Sequence, residues 1–296
     1  MKQQVTSTGS QLAWVGMGLA APAAFLLVVL YVLPLLSLLL LSFTDYELGA
    51  TALRWVGVEN FQRAWNDPVF IRSLRNTLLY MAIVIPGGVL LSLWVALLVH
   101  QRTRSRSFYE VIYFLPVTST LIAMATVWQF LLHPKLGFIN AALRAVGLGE
   151  TAFITDPAWV IPVLSFIGLW QMVGFNMIIY LAGLAQIPPD MYEAAEVDGV
   201  VGGWERFTHI TWPLLAPTTV FVVVTTCISA FKVFDTVLAL TQGKSQSEVI
   251  LYAIYLEGFQ YFKMGYAAAL TLIFLGLIFV ASSIQLIKLD KKAHYA

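Results

Sequence analysis

An all-α membrane protein with six spanning helices is what this sequence predicts, and two observations carry that reading. Only 11% of its 296 residues are charged, against 59% apolar, whereas a soluble domain carries roughly 25% charged residues to cover its surface. The few charges are also gathered between long uncharged stretches: no Asp, Glu, Lys or Arg occurs in residues 3–44, 76–101, 111–134, 157–189, 207–231 or 264–287. The shortest of these holds 24 residues, which at about 1.5 Å per helical residue exceeds a hydrocarbon core of about 30 Å. Outer-membrane strands would alternate over about ten residues, and runs such as 35–41 do not alternate.

The spacing predicts helices near 13–42, 74–100, 109–133, 158–186, 214–240 and 265–287, forming one transmembrane domain over 1–296. In the first, Lys2 and the small residues Ala20, Ala21, Ala23 and Ala24 mimic a secretory signal, but the apolar part runs on to Phe43. That is far beyond the usual core of about 7 to 15 residues, so the helix is read as retained. Pro34, Pro86, Pro116 and Pro162 fall inside spans, where a missing N–H kinks a helix; Gly87 and Gly88 make the second helix the most pliable.

Six spans put both termini on one face. The connections 44–73, 134–157 and 241–264 then lie on the far side, and 101–108 and 187–213 on the near side. Far-side Trp55, Phe61, Trp65, Phe70, Phe153 and Trp159 suit short interfacial helices with rings at headgroup depth. Lys and Arg divide evenly between the faces, yet those of the near side concentrate in Arg102, Arg104 and Arg106 and in the tail Lys288, Lys291 and Lys292. Lys and Arg in short segments set orientation, so the near side and both termini are read as cytoplasmic.

Cys227 is the single cysteine and forms no intrachain disulfide. A net charge of +1 argues against a nucleic-acid partner. Enzyme signatures are missing. Gly243-Lys244-Ser245 resembles the end of a phosphate-binding loop, but Leu238 stands where that motif needs glycine. The four histidines, His100, His133, His209 and His294, lack metal-ligand spacing, so no cofactor and no metal are expected.

The longest near-side connection, 187–213, carries the functional reading. Pro188 and Pro189 end the fourth span, and Asp190 with Glu193 three residues on forms an Asp-x-x-Glu capping box. A short helix from about Met191 to Asp198 follows, stopped by a left-handed turn at Gly199. Gly202 and Gly203 allow a second turn, and 204–209 predicts a further short helix before Pro213. The small Ala194 and Ala195 allow close approach of another protein. Glu193, Glu196, Asp198 and Glu205 give an acidic skin, and Tyr192, Trp204 and Phe207 offer aromatic anchors.

Here the chain resembles the membrane subunits of ABC importers, whose docking loop reads Glu-Ala-Ala, three residues, Gly, nine residues, Ile-x-Leu-Pro. Glu193-Ala194-Ala195, Gly199, Ile210 and Pro213 match; ten residues separate Gly199 from Ile210, and Trp212 replaces the usual Leu. The extra residue is expected in a longer turn at Gly202 and Gly203. Fragments including Asn76-Thr77, Phe114-Leu115-Pro116 and Phe234-Asp235 point to the carbohydrate-uptake branch that includes maltose and glycerol-phosphate permeases. In the outer loop, Thr241-Gln-Gly-Lys-Ser245 departs from that branch's Thr-x-Gly-Gly-Pro.

The resemblance implies a permease that forms half of a path for a sugar or polyol by alternating access. Its partners would be a second homologous permease, two cytoplasmic ATPases and an extracytoplasmic solute-binding protein. Glu193, Ala194, Ala195, Asp198 and Gly199 would dock an ATPase. A secondary transporter or receptor with a regulatory hairpin is the alternative.

Ring faces and amides that read a sugar point to Trp170, Gln171 and Asn176 on the fourth span, with hydrogen bonding between helices as the competing role. Lys232 and Asp235 interrupt the fifth span three residues apart, which predicts one helical face and mutual neutralisation. A charged outer gate and a phosphate contact are the other readings of this pair.

Overall fold

The computed structural model describes the backbone of residues 5–293 and the side chains of 14–120 and 123–285; Lys2, Lys288, Lys291, Lys292 and His294 have side chains outside the described ones. Among the described residues the chain is helical, without strands. Its elements are α1 (Val5–Leu27), α2 (Leu33–Leu41), α3 (Glu59–Asn66), α4 (Pro68–His100), α5 (Arg106–Thr118), α6 (Leu121–Leu131) and α7 (Phe138–Ala145). There follow α8 (Pro157–Ala185), α9 (Pro189–Val197), α10 (Gly203–Arg206), α11 (Trp212–Leu214), α12 (Ala216–Phe231), α13 (Asp235–Leu240), α14 (Ile250–Tyr255) and α15 (Met264–Ala293). Wider π turns join α1 to α2 at Val28–Val32, α10 to α11 at Phe207–Thr211, and follow α14 at Leu256–Gln260.

Four helical segments are long and apolar enough to cross a membrane: Trp14–Leu41, Pro68–His100, Pro157–Ala185 and Met264–Gln285; two bent pairs bring the number to six if each crosses once. By internal packing the chain divides into residues 1–66 with 254–273, and residues 67–253 with 274–296.

In the first unit, no residue in the most apolar window of the Trp14–Leu41 span is buried among the described residues. Beyond it the chain is pinned locally. Asn60 donates from Nδ2 to the carbonyls of Ser42 (2.9 Å) and Thr44 (2.8 Å), and Thr44 pairs with Trp55 in an isolated bridge. Phe43 stacks on Trp55 and packs against Phe61. The backbone N–H and guanidinium of Arg54 both donate to Asp45, which holds its carboxyl below the ordinary value of 3.8.

The second unit is a helix bundle. Its core interlocks Val89, Leu93 and Ala96 of α4 with Val173, Met177 and Tyr180 of α8 and Val222 of α12. Small residues set the spacing, as is common between membrane helices. A Cβ on Gly174 would sit 1.8 Å from the Tyr113 carbonyl oxygen, so α5 crosses α8 at a distance that only glycine allows.

The α4 and α8 starts share one device. Asp67 accepts from the Val69 N–H and Asp156 from the Ala158 N–H, both at 2.8 Å, with proline at the first helical position. Helix α4 therefore begins six residues before the expected 74. Arg72 rides inside it because a bidentate pair with Glu248 (2.9 and 3.0 Å) neutralises it.

Three expectations need correction. The third span is not one helix, because α5 and the segment after it diverge by 100°. Ser119 and Thr120 turn extended, and the hydroxyls of Thr118 and Ser119 donate to the Leu115 carbonyl at the broken end. The fifth span is broken as well. The segment Gly203–Leu214 meets α12 at 68°, and α12 ends at Phe231, so 232–234 separates it from α13. Phe70, expected as an interfacial anchor, is buried, whereas Trp55 and Trp65 remain exposed.

Candidate functional site

The hairpin after α8 is built largely from local backbone chemistry. Helix α9 starts with Pro188 at its cap and Pro189 at its first position. The expected Asp190 capping box does not form; Asp190 lies within the first turn, where its charge meets the positive end of the helix dipole. The other end matches the expectation closely. Gly199 adopts φ +87°, its N–H donates to the Glu196 carbonyl (3.1 Å), and the Val200 N–H reaches back to the Ala195 carbonyl (2.9 Å). These two bonds form a Schellman motif, which explains why the alanine pair and the glycine keep their spacing: Ala195 supplies the carbonyl and Gly199 the left-handed residue that closes on it.

A second helical run from Gly203 to Leu214 folds back on α9. The Gly202 N–H donates to Glu205 Oε2 at its start (3.3 Å). Arg206 pairs with Glu196, and the Tyr192 hydroxyl meets that of Thr211 at 3.1 Å. Trp204, Phe207 and Trp212 form a continuous aromatic row.

The run is longer than the expected 204–209 helix. Its π turn at Phe207–Thr211 closes i to i+5 bonds and so holds one more residue than an α turn. The extra residue between Gly199 and Ile210 thus has a place inside the helix, besides the glycine turn where it was expected.

Of the predicted docking residues, Glu193, Ala194, Asp198 and Gly199 are exposed together and Ala195 is half-buried. Glu196 and Glu205, read as part of the acidic skin, are exposed as well, although Glu196 pairs with Arg206 and Glu205 accepts from the Gly202 N–H. The outward face carries Glu193 and Asp198 beside small Ala194.

The predicted solute-path residues separate. Asn176 is buried and donates from Nδ2 to Thr226 Oγ1 (2.9 Å), tying α8 to α12. Trp170 packs edge-on against Trp128, with ring centroids 5.5 Å apart. Only Gln171 lines a cavity of about 270 Å³, together with Tyr80, Gly168, Ser229, Lys232 and Asp235.

Lys232 and Asp235 do not share a helical face. Lys232 caps the end of α12, Asp235 opens α13, and no ion pair joins them among the described residues. The break at 232–234 spreads one charge to each helix end, and both line the cavity.

Sequence reasoning missed the clamp beside this cavity. Asn76 Nδ2 donates to the carbonyls of Gln246 (2.7 Å) and Glu248 (2.9 Å), and Thr77 accepts from the Ile250 N–H (3.0 Å). With Arg72–Glu248 these contacts fix the loop 241–250 onto α4. The segment is bent through left-handed Gln242, Gly243, Ser245 and Gln246. Asn76-Thr77 was the one signal that marked it.

This architecture has known counterparts. Residues 88–292 match the family of binding-protein-dependent transport system inner membrane components. A probable ABC transporter permease of Pyrococcus horikoshii is 33% identical over 79% of this chain and 82% of its own length. The lactose transport system permease protein LacF of Rhizobium radiobacter is 31% identical over 90% of each chain. A chain from the crystal structure of a bacterial alginate ABC transporter in complex with alginate pentasaccharide-bound periplasmic protein superposes with a TM-score of 0.81, at 26% identity over 95% of this chain and 94% of that one. This chain belongs to the inner-membrane permease components of binding-protein-dependent transport systems.

Proposed function

We propose that this chain is one permease half of an ATP-driven importer for a sugar or related polyol, and that an ATPase docks on the face formed by Glu193, Ala194, Ala195, Asp198 and Gly199. The carrying observation is the hairpin: a short, Schellman-closed helix that presents small and acidic residues outward. It is continuous through the 203–214 run with α12, and α12 lines the cavity through Ser229 and Lys232. Motion imposed at the hairpin therefore has a short covalent route to the solute path, as alternating access requires.

The hairpin face is cytoplasmic in this reading and both termini lie on it. The chain carries no nucleotide-binding motif, so ATP hydrolysis belongs to a partner. A second permease subunit is supported by the Trp14–Leu41 span, whose most apolar window has no buried residue among the described ones. An extracytoplasmic binding protein is supported by the family's description, and a carbohydrate cargo by relatives named for lactose and alginate. In the cavity, Gln171 offers an amide to sugar hydroxyls, and Lys232 and Asp235 offer one charge of each sign.

Affinity purification of the tagged chain from native membranes tests this reading. It should bring down an ATPase and a second permease, and Glu193→Lys should release the ATPase while leaving the chain inserted. A chain that purifies alone yet supports solute uptake without ATP would establish the secondary-transporter alternative.

A further inference from the structure

A second cavity, unrelated to the solute path, opens beside the hairpin. Its volume is about 700 Å³, within the range of ligand pockets. Leu90, Leu93, Trp94 and Leu97 of α4 form one wall, and Trp204 and Phe207 of the hairpin form the other. Its polar lining comes from His100 and Gln101, which finish α4, and from Tyr192, Arg206 and Thr211 of the hairpin. From Leu90 to His100 the wall rises about 15 Å at helical pitch, half of a hydrocarbon core of about 30 Å. The α4 wall is one leaflet long, apolar from Leu90 to Leu97 and polar where the helix ends at His100 and Gln101.

The sign of the polar end selects an occupant. Arg206 pairs with Glu196 through one terminal nitrogen, and a third of its side-chain surface remains exposed, so the five-donor guanidinium retains donor capacity for a second anion. The other nearby carboxylate, Glu205, is directed at the Gly202 N–H. Arg102 and Arg104, both exposed, follow directly on Gln101. Trp94 and Trp204 are 60% and 74% exposed, as suits indoles at headgroup depth.

We propose that this groove binds one anionic phospholipid, its acyl chain against Leu90, Leu93 and Leu97 and its phosphate at Arg206. The lipid sits between α4 and the second run of the hairpin and props the hairpin against the bundle. Only the naming of the cytoplasmic leaflet rests on the orientation proposed above.

The intact, partner-loaded transporter is reconstituted in nanodiscs of mixed phosphatidylglycerol and phosphatidylcholine, and the lipids retained after detergent stripping are counted by native mass spectrometry. One extra cationic contact predicts about fivefold retention of phosphatidylglycerol over phosphatidylcholine. Arg206→Gln should bring the ratio to parity. Glu196→Gln breaks the same ion pair but frees the guanidinium, so it should keep or raise the preference. Added inorganic phosphate should not displace the lipid.

Equal retention of both lipids by the wild type would overturn the proposal, leaving a groove for any acyl chain. So would an equal loss in both variants, which would make the Arg206–Glu196 pair purely structural. Disulfide capture of Trp94→Cys by another subunit would overturn it too, by showing that a helix fills the groove. ATP-driven uptake in proteoliposomes of the same preparations reports separately on the importer reading.

Discussion

Replacing Gly199 by alanine isolates the backbone contribution to the hairpin. The residue sits at φ +87°, and a Cβ built there meets nothing within 4 Å. The substitution therefore introduces no clash, only the cost of holding an L-residue in the left-handed region, about 1–2 kcal/mol. That strain falls on the two bonds that close α9, from Gly199 to Glu196 and from Val200 to Ala195.

If the closed form is the one that docks, the population competent to bind falls by about 5- to 30-fold, since about 1.4 kcal/mol is tenfold. Gly199→Asn should lose less, because asparagine visits this region more readily. The assay is equilibrium binding of purified ATPase to the permease in nanodiscs, paired with ATP-driven uptake. Wild-type binding by Gly199→Ala would refute the reasoning. A larger loss for asparagine than for alanine would also refute it, because bulk rather than backbone would then govern docking.

The remaining predictions follow from the bundle and from the two loops pinned by ion pairs. Gln171→Ala should lower uptake at unchanged thermal stability, whereas Asn176→Ala should lower stability by about 1–3 kcal/mol, the cost of stranding a buried partner at Thr226. Equal stability losses would remove the distinction between a path residue and a helix tie. Glu248→Gln should weaken the clamp of loop 241–250 on α4 by about 1–3 kcal/mol, given its two short bonds to partly buried Arg72; a double cycle with Arg72→Gln that shows no coupling would contradict it.

Asp45 gives a pH signature. Its folded carboxyl is held below 3.8 by the Arg54 N–H and guanidinium, so its contribution is fully present above that value and is lost as pH falls through the lower, folded one. Thermal melts of wild type and Asp45→Asn should differ at neutral pH and converge in strong acid. A gap that persists there would assign the effect to something other than the Asp45 charge.

What was legible in the sequence was local. Glu193-Ala-Ala and Gly199 predict a short helix with a left-handed stop, and the structure closes that helix through Ala195 and Gly199. The Asp190 box failed because Pro188 and Pro189 start the helix two residues earlier and leave Asp190 inside it.

The other misses share a cause in long-range contacts. Charge-free length placed the start of α4 too late, since the partner that permits Arg72 lies 176 residues away at Glu248. The same criterion could not see that the third span breaks at Ser119 and Thr120 or that α12 stops before Lys232, because an uncharged run reports burial and not helical continuity. Trp170, Gln171 and Asn176 lie close in sequence but face different surroundings, and only packing decides which side chain reaches the cavity.

The central claim is that the Glu193–Gly199 face receives an ATPase. Site-directed photo-crosslinking tests it most directly, with a benzophenone reagent attached at Ala194→Cys in the assembled transporter and Val146→Cys, on the connection expected to lie on the opposite face, as the control. An ATP-sensitive crosslink to the ATPase from position 194 and none from position 146 is the predicted result. Crosslinking from position 194 to lipid alone, in a complex that still contains the ATPase and transports, would contradict the account.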